Sequence, residues 1–157
     1  MSAMEITATH EFPQPVEAAF AMLTDPEFLD AVCAASDPIE YWVSTEGLHT
    51  RTRRVMRNHP SIRRFTGPTI TVTDEIEWNS EPSGDTRTGL AKVTVEGMPV
   101  ALGGQVTLVP NGTGSALTYS GELKVSIPLV GPSLERQAVP VLLEALEIQA
   151  QVAQTWG

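Results

Sequence analysis

The sequence predicts an α+β fold: a seven-stranded antiparallel sheet, two short helices after the first strand, and a long C-terminal helix. Three observations carry that prediction. The opening stretch MEITATHEFP alternates, with Met4, Ile6, Ala8, His10 and Phe12 on one side and Glu5, Thr7, Thr9 and Glu11 on the other, as a strand with one buried face requires. From Ile39 to Ile127, short alternating runs succeed one another at hairpin spacing with no helical stretch between them, so neighbouring strands run antiparallel. From Leu134 onward, apolar residues recur at helical spacing almost to the last residue.

After the first strand, PQPVEAAFAML places Val16, Ala19, Phe20 and Leu23 on one helical face. TDPEFLDAVCAA then restarts a helix, with Asp25 as cap, Pro26 at the first helical position and Glu27 at the positive end of the dipole. IEYWVSTE and HTRTRRVMR flank Gly47 and Leu48 as a hairpin. TITVTDEIEW ends at the turn EPSGD; GLAKVTVEG, VALGGQVTLV and SALTYSGELKVSI follow, divided by Met98-Pro99 and by PNGTG. PLVGP stops the last strand, and Pro132 and Glu135 suit the first turn of the terminal helix. On that helix Leu142, Ala145, Leu146, Val152 and Ala153 share one broad apolar arc, into which Gln149 intrudes. Pro140 is expected to kink or delay it.

A length of 157 residues fits one domain, residues 1–157, large enough to bury a sizeable core. The net charge of −9 argues against nucleic acid or an anionic membrane surface as partner. No apolar run approaches the ~20 residues of a membrane span, and no signal peptide is visible, so a cytoplasmic setting and no membrane insertion are expected. Cys33, the single cysteine, reads as a small hydrophobe in an apolar helix, with no basic neighbour in sequence to activate it. His10, His49 and His59 lack metal-ligand spacing, so no metal and no cofactor are expected. Asn111 in NGTG matches a glycosylation sequon but reads as a turn.

The order strand, two short helices, six strands, long helix resembles the helix-grip fold of the START and birch-pollen-allergen superfamily, which also holds polyketide cyclases. More narrowly, the chain resembles an actinobacterial family of unknown function within it. The stretches that carry the likeness are THEFPQPVEAAFAMLTDPEF, Phe65 with Gly67, DEIEW, and LKVSIPLVGPSLE; Pro140 departs from the pattern. The resemblance implies a curved sheet wrapped around the long helix with a ligand cavity between them.

The residues facing that space follow from register. Setting Glu46 opposite Arg51 pairs Ser44 with Arg53, Trp42 with Val55 and Glu40 with Arg57, so that Arg51, Arg53 and Arg57 balance acidic neighbours on an outer face. Tyr41, Thr52 and Arg54 then point inward, and setting Asn58 against Ile70 brings Arg54 opposite Asp74, where two buried charges neutralise each other. His10, Tyr41, Arg54, Asp74, Tyr119 and Gln149 are thus polar intruders in apolar rows, the pattern of a small-molecule site. The loop from His59 to Pro68, with Ile62 and Phe65, is the expected gate.

Three functions fit. The first is binding of a hydrophobic small molecule (a lipid, isoprenoid or polyketide-like compound), its carboxylate, phosphate or hydroxyl head oriented by Arg54 or His10. The second is a cyclase or dehydratase with His10 as base, Tyr41 or Tyr119 as acid and Arg54 stabilising an enolate. The third is a non-catalytic interaction module with a filled core.

Overall fold

The strand-forming alternation resolves into one seven-stranded sheet, seen in a computed structural model that describes residues 4–58, 60, 63, 67–96, 100–126 and 131–156. In the final helix the side chains of 131, 132, 134, 137, 138 and 141 lie outside that description. The strands are β1 (Met4–Phe12), β2 (Glu40–Glu46), β3 (His49–Arg57), β4 (Thr69–Trp78), β5 (Arg87–Val95), β6 (Val100–Asn111) and β7 (Gly114–Val125). Their spatial order is β1-β7-β6-β5-β4-β3-β2, antiparallel throughout. Strands β2 to β7 form a meander and β1 closes against the last of them. The helices of the described residues are α1 (Val16–Leu23), α2 (Pro26–Ala35) and α3 (Gly131–Gln154). This is the helix-grip architecture.

Local chemistry sets the helix ends. Asp25 accepts a hydrogen bond from the Glu27 backbone N–H at 2.9 Å, and Pro26 occupies the first helical position of α2. At the far end of α3, the Gln14 side-chain amide donates to the carbonyls of Ala153 and Trp156 at 2.8 and 3.2 Å, satisfying groups a helix terminus leaves orphaned. Pro140 lies inside α3 without ending it. It is on the exposed side, where water can reach the carbonyl one turn back that it cannot bond.

Register corrects two sequence expectations. The two-residue loop Gly47–Leu48, with Gly47 at φ 61°, sets Glu46 opposite His49, Ser44 opposite Arg51, Trp42 opposite Arg53 and Glu40 opposite Val55. Each pairing is two residues from the expected one, because the turn is tighter. The predicted Glu40–Arg57 pairing is therefore absent. Arg57 faces Thr69, while Arg53 reaches Glu96 at 2.6 Å and Arg51 reaches Glu75 at 3.7 Å. Arg54 likewise stands opposite Val72 rather than Asp74. A slip of two leaves every side chain on its expected face, whereas a slip of one would have reversed them all.

One end of the molecule is filled. Phe12, Met22, Phe28, Trp78, Leu108 and Leu117 are buried there with Ala150 and Ala153 of α3. Trp78 meets Phe20 edge-on at 5.3 Å, and Phe28 meets Trp156 in the same way at 5.3 Å. Arg87 stacks over Phe20 at 4.2 Å and holds Glu17 through two hydrogen bonds of 2.6 and 2.9 Å, tying α1 to β5. Those bonds hold the Glu17 carboxyl below its ordinary range. Glu135, placed by the sequence near the start of the last helix, is 2 % exposed, and its Oε1 accepts from the Val125 N–H at 3.3 Å.

The middle of the sheet is shaped by glycine. Gly104 and Gly121 face each other across β6 and β7. A Cβ on Gly104 would lie 2.2 Å from the Ser120 carbonyl oxygen, and one on Gly121 would lie 2.5 Å from that of Gly103. The adjacent Gly103 has open space around the same position. Gly104→Ala is therefore expected to lower unfolding free energy by about 1–3 kcal/mol through overpacking, and Gly103→Ala to stay within ~0.5 kcal/mol of the native protein, both read from urea denaturation.

Candidate functional site

Between the middle of the sheet and α3 lies a cavity of about 150 Å³. A water needs about 10–15 Å³ in such a measure, so the space admits on the order of ten waters. Its inner end is walled by Leu29, Val32 and Cys33 of α2, whose i, i+3, i+4 spacing puts them on one face. Leu142, Ala145, Leu146 and Gln149 of α3 form the roof. The sheet supplies Val72, Ile76, Ala91, Val93 and Leu102, with Gly104 and Gly121 as a floor without side chains.

Polar groups enter from β3, β4, β7 and α3. Arg54 Nη2 donates to Asp74 Oδ2 at 2.5 Å, with the two side chains 11 % and 33 % accessible. The pair is diagonal across β3 and β4, because the residue directly opposite Asp74 is Thr52. Arg54 Nε is buried and finds no acceptor among the described residues. An ion pair with an unmet donor is a poor device for stability alone. From the opposite walls, the Tyr119 hydroxyl of β7 donates to Gln149 Oε1 of α3 at 3.4 Å, a long contact. Burial raises the Tyr119 phenol above its ordinary value, and the Asp74 carboxylate raises it further. It stays a protonated donor.

The structure brings together four of the six expected polar residues: Arg54, Asp74, Tyr119 and Gln149. His10 and Tyr41 are placed elsewhere, for one shared reason. Both stand on edge strands, and a helix covers the inward face of each. Tyr41 faces α2; burial and a hydrogen bond to Asp30 raise its phenol. His10 lies under α3 with its Nδ1 3.5 Å from Glu147 Oε2, in a second, more open depression of about 530 Å³ on the far side of the helix. The expected gate residues Ile62 and Phe65 lie outside the described residues.

Cys33 and Thr50 also line the cavity, although the sequence did not mark them as site residues, as does Thr52, which register had turned inward. The signal for Cys33 was its spacing from Leu29. The two mid-strand glycines were equally visible in LGGQ and YSGE, since glycine inside a strand marks a bend or a close approach. Among the described residues, no cluster of three His, Cys, Asp or Glu side chains could hold a metal ion, and no helix is long and apolar enough to cross a membrane.

Comparison with known proteins follows the same lines. A family model described as "Protein of unknown function (DUF2505)" matches residues 7–156. The sequence matches no curated protein. Among solved structures, TTHA0849 from Thermus thermophilus is similar with a TM-score of 0.65 at 20% identity, over 96% of this chain and 94% of that one. Human STARD10 is similar with a TM-score of 0.62 at 11% identity, over 95% of this chain and 62% of that one. The Zhui aromatase/cyclase from a Streptomyces species is similar with a TM-score of 0.56 at 12% identity, over 96% and 88%. At these identities the likeness is one of fold.

Burial pushes the Cys33 thiol up to about 11 from its ordinary 9.0, the nearby Arg54 guanidinium opposing the shift. A rise of that size leaves about a hundredfold less thiolate at pH 8 than in an unfolded chain. Iodoacetamide should therefore label Cys33 in the native protein at least ~100-fold more slowly than in urea, as followed by intact-mass spectrometry.

Proposed function

This chain belongs to the DUF2505 family, and we propose that it binds a small, mostly apolar organic molecule in the hollow between its sheet and α3. The carrying observation is the cavity of about 150 Å³ itself, apolar over most of its wall, with four polar side chains converging on it from separate elements. That combination is the usual form of a small-molecule site. The fold shared with STARD10 and the Zhui aromatase/cyclase supports the same reading.

Size narrows the guest. About ten waters correspond to roughly 300 Å³ of liquid, at the lower end of the range for ligand pockets. A single-ring aromatic, a monoterpene-sized isoprenoid or a medium-length acyl chain fits that scale better than a two-chain lipid. Binding is favoured over cyclase-type turnover because the imidazole expected as base is on the far side of α3. A filled-core module is disfavoured by the hollow.

The test is to purify the protein natively, extract it for mass spectrometry, and screen single-ring and ten-carbon compounds by thermal shift. A co-purified small molecule, or a ligand that raises Tm with saturating dose dependence, is expected. An empty extract with no shift across the panel removes the proposal. Ala145→Phe fills the roof and is expected to abolish that shift while stabilising the unliganded protein by about 0.5–2 kcal/mol, as cavity filling commonly does.

A further inference from the structure

We infer that the guest is electrically neutral and carries one hydrogen-bonding oxygen, a carbonyl or hydroxyl, which docks between Tyr119 and Gln149. This deepens the binding reading above and rests on it. It also reverses the sequence expectation that Arg54 orients a carboxylate or phosphate.

Among the described residues, the charges on the cavity wall already cancel. Arg54 and Asp74 are closed on each other at 2.5 Å. The third charged residue among the described ones on the wall, Glu75, turns its carboxylate to the outer face, where His49 Nε2 and Arg51 Nε lie at 3.4 and 3.7 Å. An incoming carboxylate that captured Arg54 would leave Asp74 in a low-dielectric wall without its counterion. An incoming ammonium that captured Asp74 would strand Arg54 in the same way. Breaking a partly buried pair by taking one partner is unfavourable, so either ionic guest gains its own contact only through the loss of another.

Besides the Arg54 Nε–H, which has no acceptor among the described residues, hydrogen-bonding capacity is free where using it disturbs no ion pair. The Tyr119–Gln149 contact of 3.4 Å is at the long limit for an O–H donor, whose usual distance is about 2.7–2.8 Å. The two residues come from opposite walls, β7 and α3, so an oxygen placed between them can take a short bond from the phenol. A carbonyl accepts from Tyr119. A hydroxyl can also donate to Gln149 Oε1. Burial and Asp74 keep the phenol protonated. The apolar remainder of the guest then lies along Val72, Val93, Leu102 and Leu146.

One ring skeleton with varied heads tests this by calorimetry at pH 7: propylbenzene, 4-propylphenol, 4-propylacetophenone, 4-propylbenzoate and 4-propylbenzylamine. The phenol and the ketone are expected to bind about tenfold more tightly than propylbenzene, the yield of one hydrogen bond, and the two ions more weakly than either. Tyr119→Phe should erase the ketone's advantage while leaving propylbenzene affinity unchanged. Asp74→Asn, which frees Arg54, should raise benzoate affinity by about tenfold or more. Benzoate binding the native protein as tightly as the ketone overturns the inference while leaving the cavity reading standing. So does a ketone preference that survives Tyr119→Phe. Failure of every probe, propylbenzene included, overturns the cavity reading and this inference with it. The native selectivity series and Tyr119→Phe decide the matter even if Asp74→Asn does not fold.

Discussion

The close approach of β6 and β7 at Gly104 and Gly121 is the constraint from which the rest follows. Backbone occupies the space where side chains would stand, with the Ser120 carbonyl 2.2 Å from any Cβ built on Gly104. Two strands can draw together like this only where neither carries a side chain, and both glycines line the floor beneath α3. The sheet therefore meets the helix well at one end and poorly in the middle. At about 24 cal/mol per Å³ of unfilled volume, a hollow of about 150 Å³ forgoes on the order of 3–4 kcal/mol of packing. That is a large fraction of the ~5–15 kcal/mol by which domains are stable. The filled end, with its edge-on aromatic pairs and capped helix terminus, offsets it.

Within the hollow, the electrostatics are conservative. A guanidinium and a carboxylate are paired at 2.5 Å on a partly buried wall, and the loosely held polar contact is the neutral one between Tyr119 and Gln149. Strong and weak contacts are thus separated in space. The strong one holds β3 to β4 and resists exchange; the weak one spans sheet and helix and can be exchanged for a contact to a guest at little cost.

Sequence reading reached the fold because strand alternation and helical spacing are local properties, and it reached Arg54 and Asp74 for an instructive reason. Both predicted registers were off by two residues, yet facing depends only on parity, so the two charges still met, diagonally instead of directly. His10 and Tyr41 obeyed the same parity and nonetheless missed the cavity. Alternation says that a side chain points inward; it does not say which helix covers it, and at both sheet edges a helix does. Tyr119 and Gln149 come from a central strand and from the roof of the hollow, where pointing inward and lining the cavity are the same thing. Glu135 shows the complementary case: its place near the helix start was readable, but its burial against the Val125 N–H depends on a tertiary contact that no local pattern carries.

A hollow beneath a helix persists only if the helix cannot settle into it. α3 is tied beyond both ends of its roofing segment. Near its start, the buried Glu135 accepts from the Val125 N–H at the end of β7. At its finish, Gln14 holds the carbonyls of Ala153 and Trp156, and Trp156 packs against Phe28. Leu142 to Gln149 lie between these ties and span the cavity as a beam spans a gap. A helix is stiff over two turns, so collapse would require releasing one tie and exposing either a buried carboxylate or an aromatic pair. The height of the roof is therefore set outside the cavity, and the lining residues are left free to specify what enters it.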